Sequence, residues 1–206
     1  MRSVVGDVLD RGDGSWVTLR EAGLVSLVAP EAFGGEGLGM SEVSVILHEI
    51  GRRASDLPAW ETIACGLLPL LRSGSAELQA ELVPLMLDGS LLLVPALNEP
   101  GAALPQRPAT TFDGTVVTGV KTAVRHLDEQ HLVIVSATAS DGSHVSVLVD
   151  PQDADATPTS SSRGTAEVTY RFDGARVRGV LDGEVVRDHA IAGLVPVDDP
   201  DRADRP

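Results

Sequence analysis

The chain has 206 residues, 43% of them hydrophobic, and its 30 acidic residues outnumber 16 Lys and Arg, which leaves a formal net charge of −14. This composition is typical of a globular protein with one large or two small domains, and its acidity argues against nucleic acid or an anionic membrane as a partner, because both are bound by clustered basic residues. The chain has a single cysteine, Cys65, which excludes an internal disulfide. No apolar run reaches the roughly 18 residues of a membrane span, and the N-terminal residues lack the apolar stretch of a signal sequence. We therefore expect a cytoplasmic protein.

Apolar residues recur with helical spacing up to about residue 90. Four helices are predicted there, one beginning near Trp16, one from Ser41 as N-cap to Gly51, one from Trp60 to Leu71 and one from Ala76 to Leu87. Pro84 predicts a kink or an early end in the last of them. In the second helix, Glu49 lies outside the apolar stripe together with His48, Arg52 and Arg53. We expect Trp16 and Trp60 to be core or interface anchors.

A glycine-rich segment at 34–39 separates the first two predicted helices. A dinucleotide-binding loop needs the spacing Gly-x-Gly-x-x-Gly, which fails here because Met40 and Glu42 stand where the third glycine is required. The segment therefore predicts a tight turn between helices.

Beyond residue 90 the apolar period falls to two, which is typical of strands. The predicted strands are Leu91–Leu97, Thr110–Phe112, Thr115–Thr118, His131–Ala137, Val145–Val149, Ala166–Phe172 and Ala175–Val180, with Asp-Gly hairpin signals at 113–114, 141–142, 173–174 and 182–183. Residues 151–164 predict a mobile loop. The fold class is α+β, with an all-helical domain over 1–90, an antiparallel β-barrel or sandwich over 91–190 and a disordered acidic tail over 191–206.

Several polar residues admit both a chemical and a structural reading. A metal site could be formed by His126, Asp128, Glu129 and His131, but their place between two strands favours a solvated loop. Cys65 could pair with His48 as a nucleophile, yet its apolar surroundings favour a small core residue. Strand alternation puts Lys121 and Arg125 on one face, where we favour ordinary surface charges over phosphate contacts.

Sequence motifs in both halves resemble one family. Residues 16–52 contain W-x-x-L-x-E-x-G-L, P-E-x-F-G-G-x-G and E-I-G-R, and this order resembles the N-terminal helical domain of the acyl-CoA dehydrogenases. Residues 97–101 resemble the L-T-E-P-G motif of the family's middle domain, 119–122 its G-x-K strand, and 170–177 its F-D-x-V-x-V segment. The resemblance spans residues 16 to 183 and implies a helical domain followed by a β-barrel.

The resemblance also implies FAD as cofactor and a cofactor site formed by Leu97, Asn98, Leu104, Ala123 and Arg125. Asn98 stands at the threonine of the first motif, and Leu104 stands where the family has a serine near the flavin. Ala123 replaces a tryptophan beside the isoalloxazine ring, and Arg125 replaces a threonine or serine near its reactive nitrogen. Losing the indole removes an apolar wall, and a buried arginine adds a positive charge.

The family dehydrogenates acyl-CoA thioesters at the α and β carbons. In that reaction a carboxylate removes the α-proton while the flavin accepts a hydride from the β-carbon. The resemblance puts the family's glutamate base in a C-terminal bundle beyond the last residue of this chain. We therefore assign no catalytic residue and no metal ligand here, and we expect the chain alone to be inactive.

Two functions follow from this resemblance. The chain is either part of a flavin-dependent acyl-CoA dehydrogenase that is incomplete on its own, or a non-catalytic structural subunit that has lost its flavin contacts within a hetero-oligomeric enzyme. Acyl-CoA is the expected substrate in the first case. In either case we expect a homo- or hetero-oligomer with another acyl-CoA dehydrogenase subunit.

Overall fold

Helices form the first part of the computed structural model, which describes residues 2–11, 15–127, 130–161 and 164–194. They are α1 (Arg2–Arg11), α2 (Trp16–Glu21), α3 (Met40–Arg52), a π-helix (Trp60–Leu67), α4 (Leu68–Ser73) and α5 (Ala76–Asp88), with 3-10 turns at Ser26–Val28 and Glu31–Phe33. The four predicted helices are confirmed, although the third consists of the π-helix and α4. The start of α3 also differs, because Gly39 caps it and donates its N–H to the Glu42 carboxylate at 3.0 Å.

The early end that Pro84 could have caused does not occur, since α5 continues to Asp88. Pro84 and Ala80 both lie on the exposed side of the helix. Water can therefore bond the Ala80 carbonyl, which the proline leaves without an amide partner.

Glu49 is buried, although the helical pattern placed it outside the apolar stripe. Its side chain is 3% exposed, and Arg53 Nη1 bonds Glu49 Oε2 at 2.6 Å. The same guanidinium reaches both carboxylate oxygens of Asp10 on α1, at 2.7 and 2.8 Å. Burial would raise the pKa of Glu49, but the hydrogen bonds and charges of the arginines outweigh burial and lower it. The cluster joins α1 to α3 by charge, a contact that hydrophobic periodicity does not reveal.

The glycine-rich segment 34–39 is a tight turn between helices, as predicted. Gly35 N–H donates to the Pro30 carbonyl at 3.2 Å, and Gly37 N–H donates to the Ala29 carbonyl at 2.8 Å. A Cβ atom at Gly35 would collide with the carbonyl oxygens of Ser26 and Ala29. Glycine is therefore required at Gly35 by close backbone approach.

The strands that follow close into a barrel, which confirms the predicted fold class. They are β1 (Leu92–Ala96), β2 (Thr111–Phe112), β3 (Val116–Arg125), β4 (His131–Ala139), β5 (His144–Val149), β6 (Asp155–Ser160) and β7 (Ala166–Asp182). The pairings run from β4 to β5, β7, β3, β2 and back to β4. Parallel pairs occur between β4 and both β1 and β2, whereas the other pairs are antiparallel.

Two of the four Asp-Gly pairs form hairpin turns, at 113–114 and 141–142. The pair at 173–174 lies instead within β7: Thr118 pairs with Asp173 and Val117 with Ala175, so Gly174 is the extra residue of a β-bulge. Its φ of 72° suits glycine. The pair at 182–183 begins a helix, where the Asp182 carboxylate accepts the N–H groups of the first turn.

The mobile loop predicted over 151–164 is wrong for most of its length. Pro151–Asp153 form a 3-10 turn, and β6 then pairs with β7 from Asp155 to Ser160. All six residues of β6 are exposed. Main-chain hydrogen bonds hold this edge strand, so it lacks the apolar alternation by which strands are recognised in sequence.

A further α-helix, α6 (Gly183–Leu194), returns to the helical part. The boundary predicted at residue 190 lies inside it, and residues 195–206 of the predicted tail are outside the described residues. The indole of Trp60 donates to the Ala190 carbonyl at 3.2 Å. The π-helix also packs against β1, where a Cβ atom at Gly66 would meet Leu93 at 2.8 Å. Helices and barrel thus share one core.

Within the part of the chain that the structure describes, no helix combines the length and apolar character that a membrane span needs.

Gly35→Ala is expected to lower the free energy of unfolding by more than about 2 kcal/mol, because backbone atoms must move to admit the methyl group. The matched control is Gly51→Ala on the exposed face of α3, where no atom lies within 4 Å of the new Cβ. That variant should be neutral or stabilising by about 0.5–1 kcal/mol. Urea unfolding measures both, and equal effects would contradict the close packing at Gly35.

Candidate functional site

A β-bulge in β3 separates the two basic residues that strand alternation had put together. Lys121 pairs with Tyr170 and Val124 with Val168, so β3 holds one residue more than β7 in this interval. Ala123 in the bulge has a φ of 52°. Lys121 therefore enters the core and is fully buried, whereas Arg125 turns toward the helices. The prediction that both are surface charges is wrong, because the bulge shifts the alternation by one residue.

Arg125 is bound by the segment that joins α3 to the π-helix. Its Nη2 contacts the Asp56 carboxylate at 2.9 Å and the Asp56 carbonyl at 3.0 Å. Its Nη1 contacts the Leu57 carbonyl at 3.4 Å and Glu61 Oε1 at 3.2 Å. Both terminal nitrogens of the guanidinium are thus engaged by the helical part.

A cleft of about 500 Å³ lies between β3 and the π-helix. Its described lining consists of Asp56, Trp60, Glu61, Pro95, Leu97, Asn98, Ala103, Leu104, Ala123, Arg125, Ser161, Thr165 and Glu167. All five residues predicted for the cofactor site are among them, so the structure brings them to one place. That a cofactor occupies the cleft stays a prediction. Three carboxylates line it against one arginine, which makes the described lining acidic.

The turn after β1 forms one wall of the cleft. The Asn98 carbonyl accepts the N–H of Thr122 in the bulge at 3.0 Å, and Asn98 Oδ1 accepts the N–H of Leu104 at 3.2 Å. Leu104 has a φ of 45°, a backbone conformation that costs roughly 1–2 kcal/mol for a residue with a side chain. The polar side chain of Asn98 therefore stabilises this turn.

Glu61 is a cleft residue that the sequence analysis missed. It lies in the first turn of the π-helix, a kind of helix often found at functional sites, and its side chain is 12% exposed. Burial raises the pKa of Glu61, and the charge of Arg125 opposes this shift only in part. Glu61 Oε2 has no hydrogen-bond partner among the described residues. The sequence feature that could have identified Glu61 as a cleft residue is its charge at the start of a long apolar helix. No sequence feature identifies Asp56 or Glu167 as cleft residues.

Beneath this wall lies a buried ion pair that the sequence analysis also missed. Lys121 Nζ bonds Glu99 Oε1 and Ser136 Oγ, each at 2.8 Å. The Glu99 carboxylate also accepts the N–H groups of Ala109 at 2.7 Å and Thr110 at 2.9 Å. Burial would raise the pKa of Glu99, but these hydrogen bonds outweigh it and lower the pKa from 4.5 to about 2. Glu99 and Lys121 belong to the two motifs at the start of the barrel, so these motifs encode a core contact.

The other candidate residues stay outside the cleft. Cys65 is fully buried in the π-helix, and burial raises the pKa of its thiol, which confirms a core residue. His126 is exposed, and Asp128 and Glu129 lie outside the described residues. No group of three His, Cys, Asp or Glu side chains suited to a metal occurs among the residues that are described.

Comparison with known proteins supports one family. The family profile described as "Acyl-CoA dehydrogenase, N-terminal domain" matches residues 8–90. The chain is 37% identical over 187 residues to acyl-CoA dehydrogenase FadE28 of Mycobacterium tuberculosis, covering 91% of this chain and 53% of that protein. The chain thus spans about half the length of the curated relatives it matches.

Solved structures show the same fold. The Tcur3481-Tcur3483 steroid ACAD G363A variant superposes with a TM-score of 0.78 at 28% identity, covering 93% of this chain and 57% of that one. The ChsE4-ChsE5 complex from Mycobacterium tuberculosis has a TM-score of 0.77 at 23% identity, covering 91% and 57%. Structural neighbours thus include complexes of two different subunits.

Glu99→Gln is expected to reduce the acid sensitivity of the fold. Because the folded pKa of Glu99 is lowered, its contribution to stability is fully present above pH 4.5 and is lost as the pH falls toward 2. The variant should lose about 3 kcal/mol at neutral pH and approach the wild type in acid. Urea unfolding over a pH series measures this, with Glu81→Gln in the exposed pair with Arg178 as control. A constant difference between Glu99→Gln and wild type at every pH would contradict the assignment.

Proposed function

The chain is a member of the acyl-CoA dehydrogenase family, and we propose that it is a non-catalytic subunit of a hetero-oligomeric acyl-CoA dehydrogenase whose working flavin is held by another subunit. One observation carries the proposal. Arg125, which the resemblance aligns with a small hydroxyl residue near the flavin, is bound to Glu61 and Asp56 across the cleft.

The residues of the cleft do not fit an isoalloxazine ring. A flavin ring is flat, and it gains negative charge when it is reduced, so it needs a flat apolar wall and free hydrogen-bond donors. Ala123 and Leu104 stand where the family has an indole and a hydroxyl. The terminal nitrogens of Arg125 are already engaged, and Asp56, Glu61 and Glu167 add negative charge. This environment opposes both the binding and the reduction of a flavin.

A subunit without a working flavin site still has a role in a paired enzyme. The helices and the barrel remain intact, so the surfaces that they present to other subunits remain available. The solved relative at 28% identity, the Tcur3481-Tcur3483 steroid ACAD, has two named components. We propose the same kind of two-component assembly here, with a steroid-bearing acyl-CoA as the substrate class to test first.

The flavin-binding reading remains the second candidate, because all five predicted cofactor residues line one cleft. Under that reading the chain itself holds FAD in this cleft.

Visible absorbance of the purified chain distinguishes the two functions. After expression with FAD and desalting, we expect a folded protein without flavin bands, because the acidic lining and the engaged Arg125 disfavour the ring. Stoichiometric flavin retained by the chain alone would contradict the proposed function and favour the second candidate.

Co-expression with a full-length acyl-CoA dehydrogenase from the same genome tests the assembly. We expect a complex that retains flavin and oxidises acyl-CoA, with steroid-bearing and straight-chain thioesters compared side by side. If the chain copurifies with no full-length acyl-CoA dehydrogenase from the same genome, that result would contradict the role of a partner subunit.

A further inference from the structure

Arg125 is the only basic residue in the described lining of the cleft, and it connects two parts of the protein. Its backbone belongs to β3, and its guanidinium donates hydrogen bonds to acceptors in the segment 56–61. Its side chain is 16% exposed and that of Glu61 is 12% exposed, so water screens this pair poorly. The pair with Asp56 is weaker, because that carboxylate is 72% exposed.

We propose that Arg125 is a clasp residue, which joins the barrel to the helices across the cleft and thereby closes the cleft to a flavin ring. This inference deepens the proposed function and rests on it for the identity of the excluded ligand. The joining role depends only on the contacts of Arg125.

The bulge is what allows this contact. Without the extra residue in β3, position 125 would lie on the side of Lys121, inside the core. Ala123 adopts a positive φ to form the bulge, and the Asn98 carbonyl binds the N–H of Thr122 beside it. The backbone cost of this conformation is offset by the contacts that it makes possible, including those of Arg125.

Glu61 makes the removal of Arg125 alone costly to the stability of the fold. Its Oε1 faces Arg125, and its buried Oε2 has no described partner, so Arg125 is the main compensation for its charge. Removing the arginine alone leaves a buried carboxylate without a counter-charge, whereas removing both charges together avoids this penalty.

A second arginine–glutamate pair provides a matched control. Arg178 on β7 contacts Glu81 on α5 at 2.8 Å, so this pair also joins the barrel to a helix. Its side chains are 46% and 52% exposed, and neither lines the cleft. Exposed pairs of this kind contribute little to stability.

Thermal unfolding tests the joining role. Arg125→Thr is expected to lower Tm by about 10 °C, and Arg178→Thr by less than about 3 °C. Equal shifts for the two variants would overturn the joining role. This readout requires no flavin and no partner, so it is independent of the proposed function.

Flavin binding tests the closing role. The double variant Glu61→Gln/Arg125→Thr removes both charges, and adding Ala123→Trp restores an aromatic wall. We expect each variant to bind FAD at least about tenfold more tightly than the wild type in a flavin-fluorescence titration, while Glu81→Gln/Arg178→Thr matches the wild type. A folded variant, judged by circular dichroism, with wild-type FAD affinity would overturn the closing role. If the double variant does not fold, Arg125→Lys provides the same test. Lysine keeps the positive charge but cannot bind these acceptors in the geometry of the guanidinium. An Arg125→Lys variant with the FAD affinity and the Tm of the wild type would overturn the clasp.

FAD binding by the wild-type chain, compared with FAD binding by the variants, separates failure of the closing role from failure of the proposed function. Tight FAD binding by the wild-type chain alone would overturn both the proposed function and the closing role, but not the joining role. Wild-type protein without flavin, together with variants that gain none, would overturn the closing role and leave the proposed function standing.

Discussion

A buried ion pair between Glu99 and Lys121 holds the start of the barrel together, and the cleft depends on it. Glu99 lies in the turn after β1, whereas Lys121 lies on β3 and reaches Ser136 on β4. Such a pair adds little net stability because both charges lose their hydration, but losing one partner costs about 3–5 kcal/mol. Its main effect is to fix the positions of three chain segments relative to one another, because Lys121 bonds Glu99 and Ser136 at the same time.

The position of Lys121 determines what reaches the cleft. With Lys121 in the core, the bulge at Ala123 reverses the alternation, and Arg125 emerges on the side of the helices. There it meets Glu61 in the π-helix. The same scaffold that the family uses thus presents a charged contact to the cleft in place of the aromatic and hydroxyl groups implied by the resemblance. A short stretch of β3 changes the chemistry of the site without disturbing the barrel.

Local signals predicted local structure well. Helical spacing identified the helices between residues 16 and 88, and Asp-Gly pairs identified the turns at 113–114 and 141–142, because both signals depend on neighbouring residues. The same dipeptide at 173–174 forms a bulge, since pairing with β3 keeps β7 continuous. Glu49 escaped prediction for a related reason, because its burial depends on Arg53 and on Asp10 from another helix.

The sequence by itself determined that a helical part precedes a β part, the family, and the five residues that meet at one cleft, because motifs and periodicity are carried by short stretches of chain. Only the tertiary structure decided what those residues do there. Arg125 meets partners more than sixty positions away, and Glu99 meets Lys121 from another strand. Charge pairing and burial are set by such distant contacts, and a one-residue shift in strand register is enough to change which side chains make them.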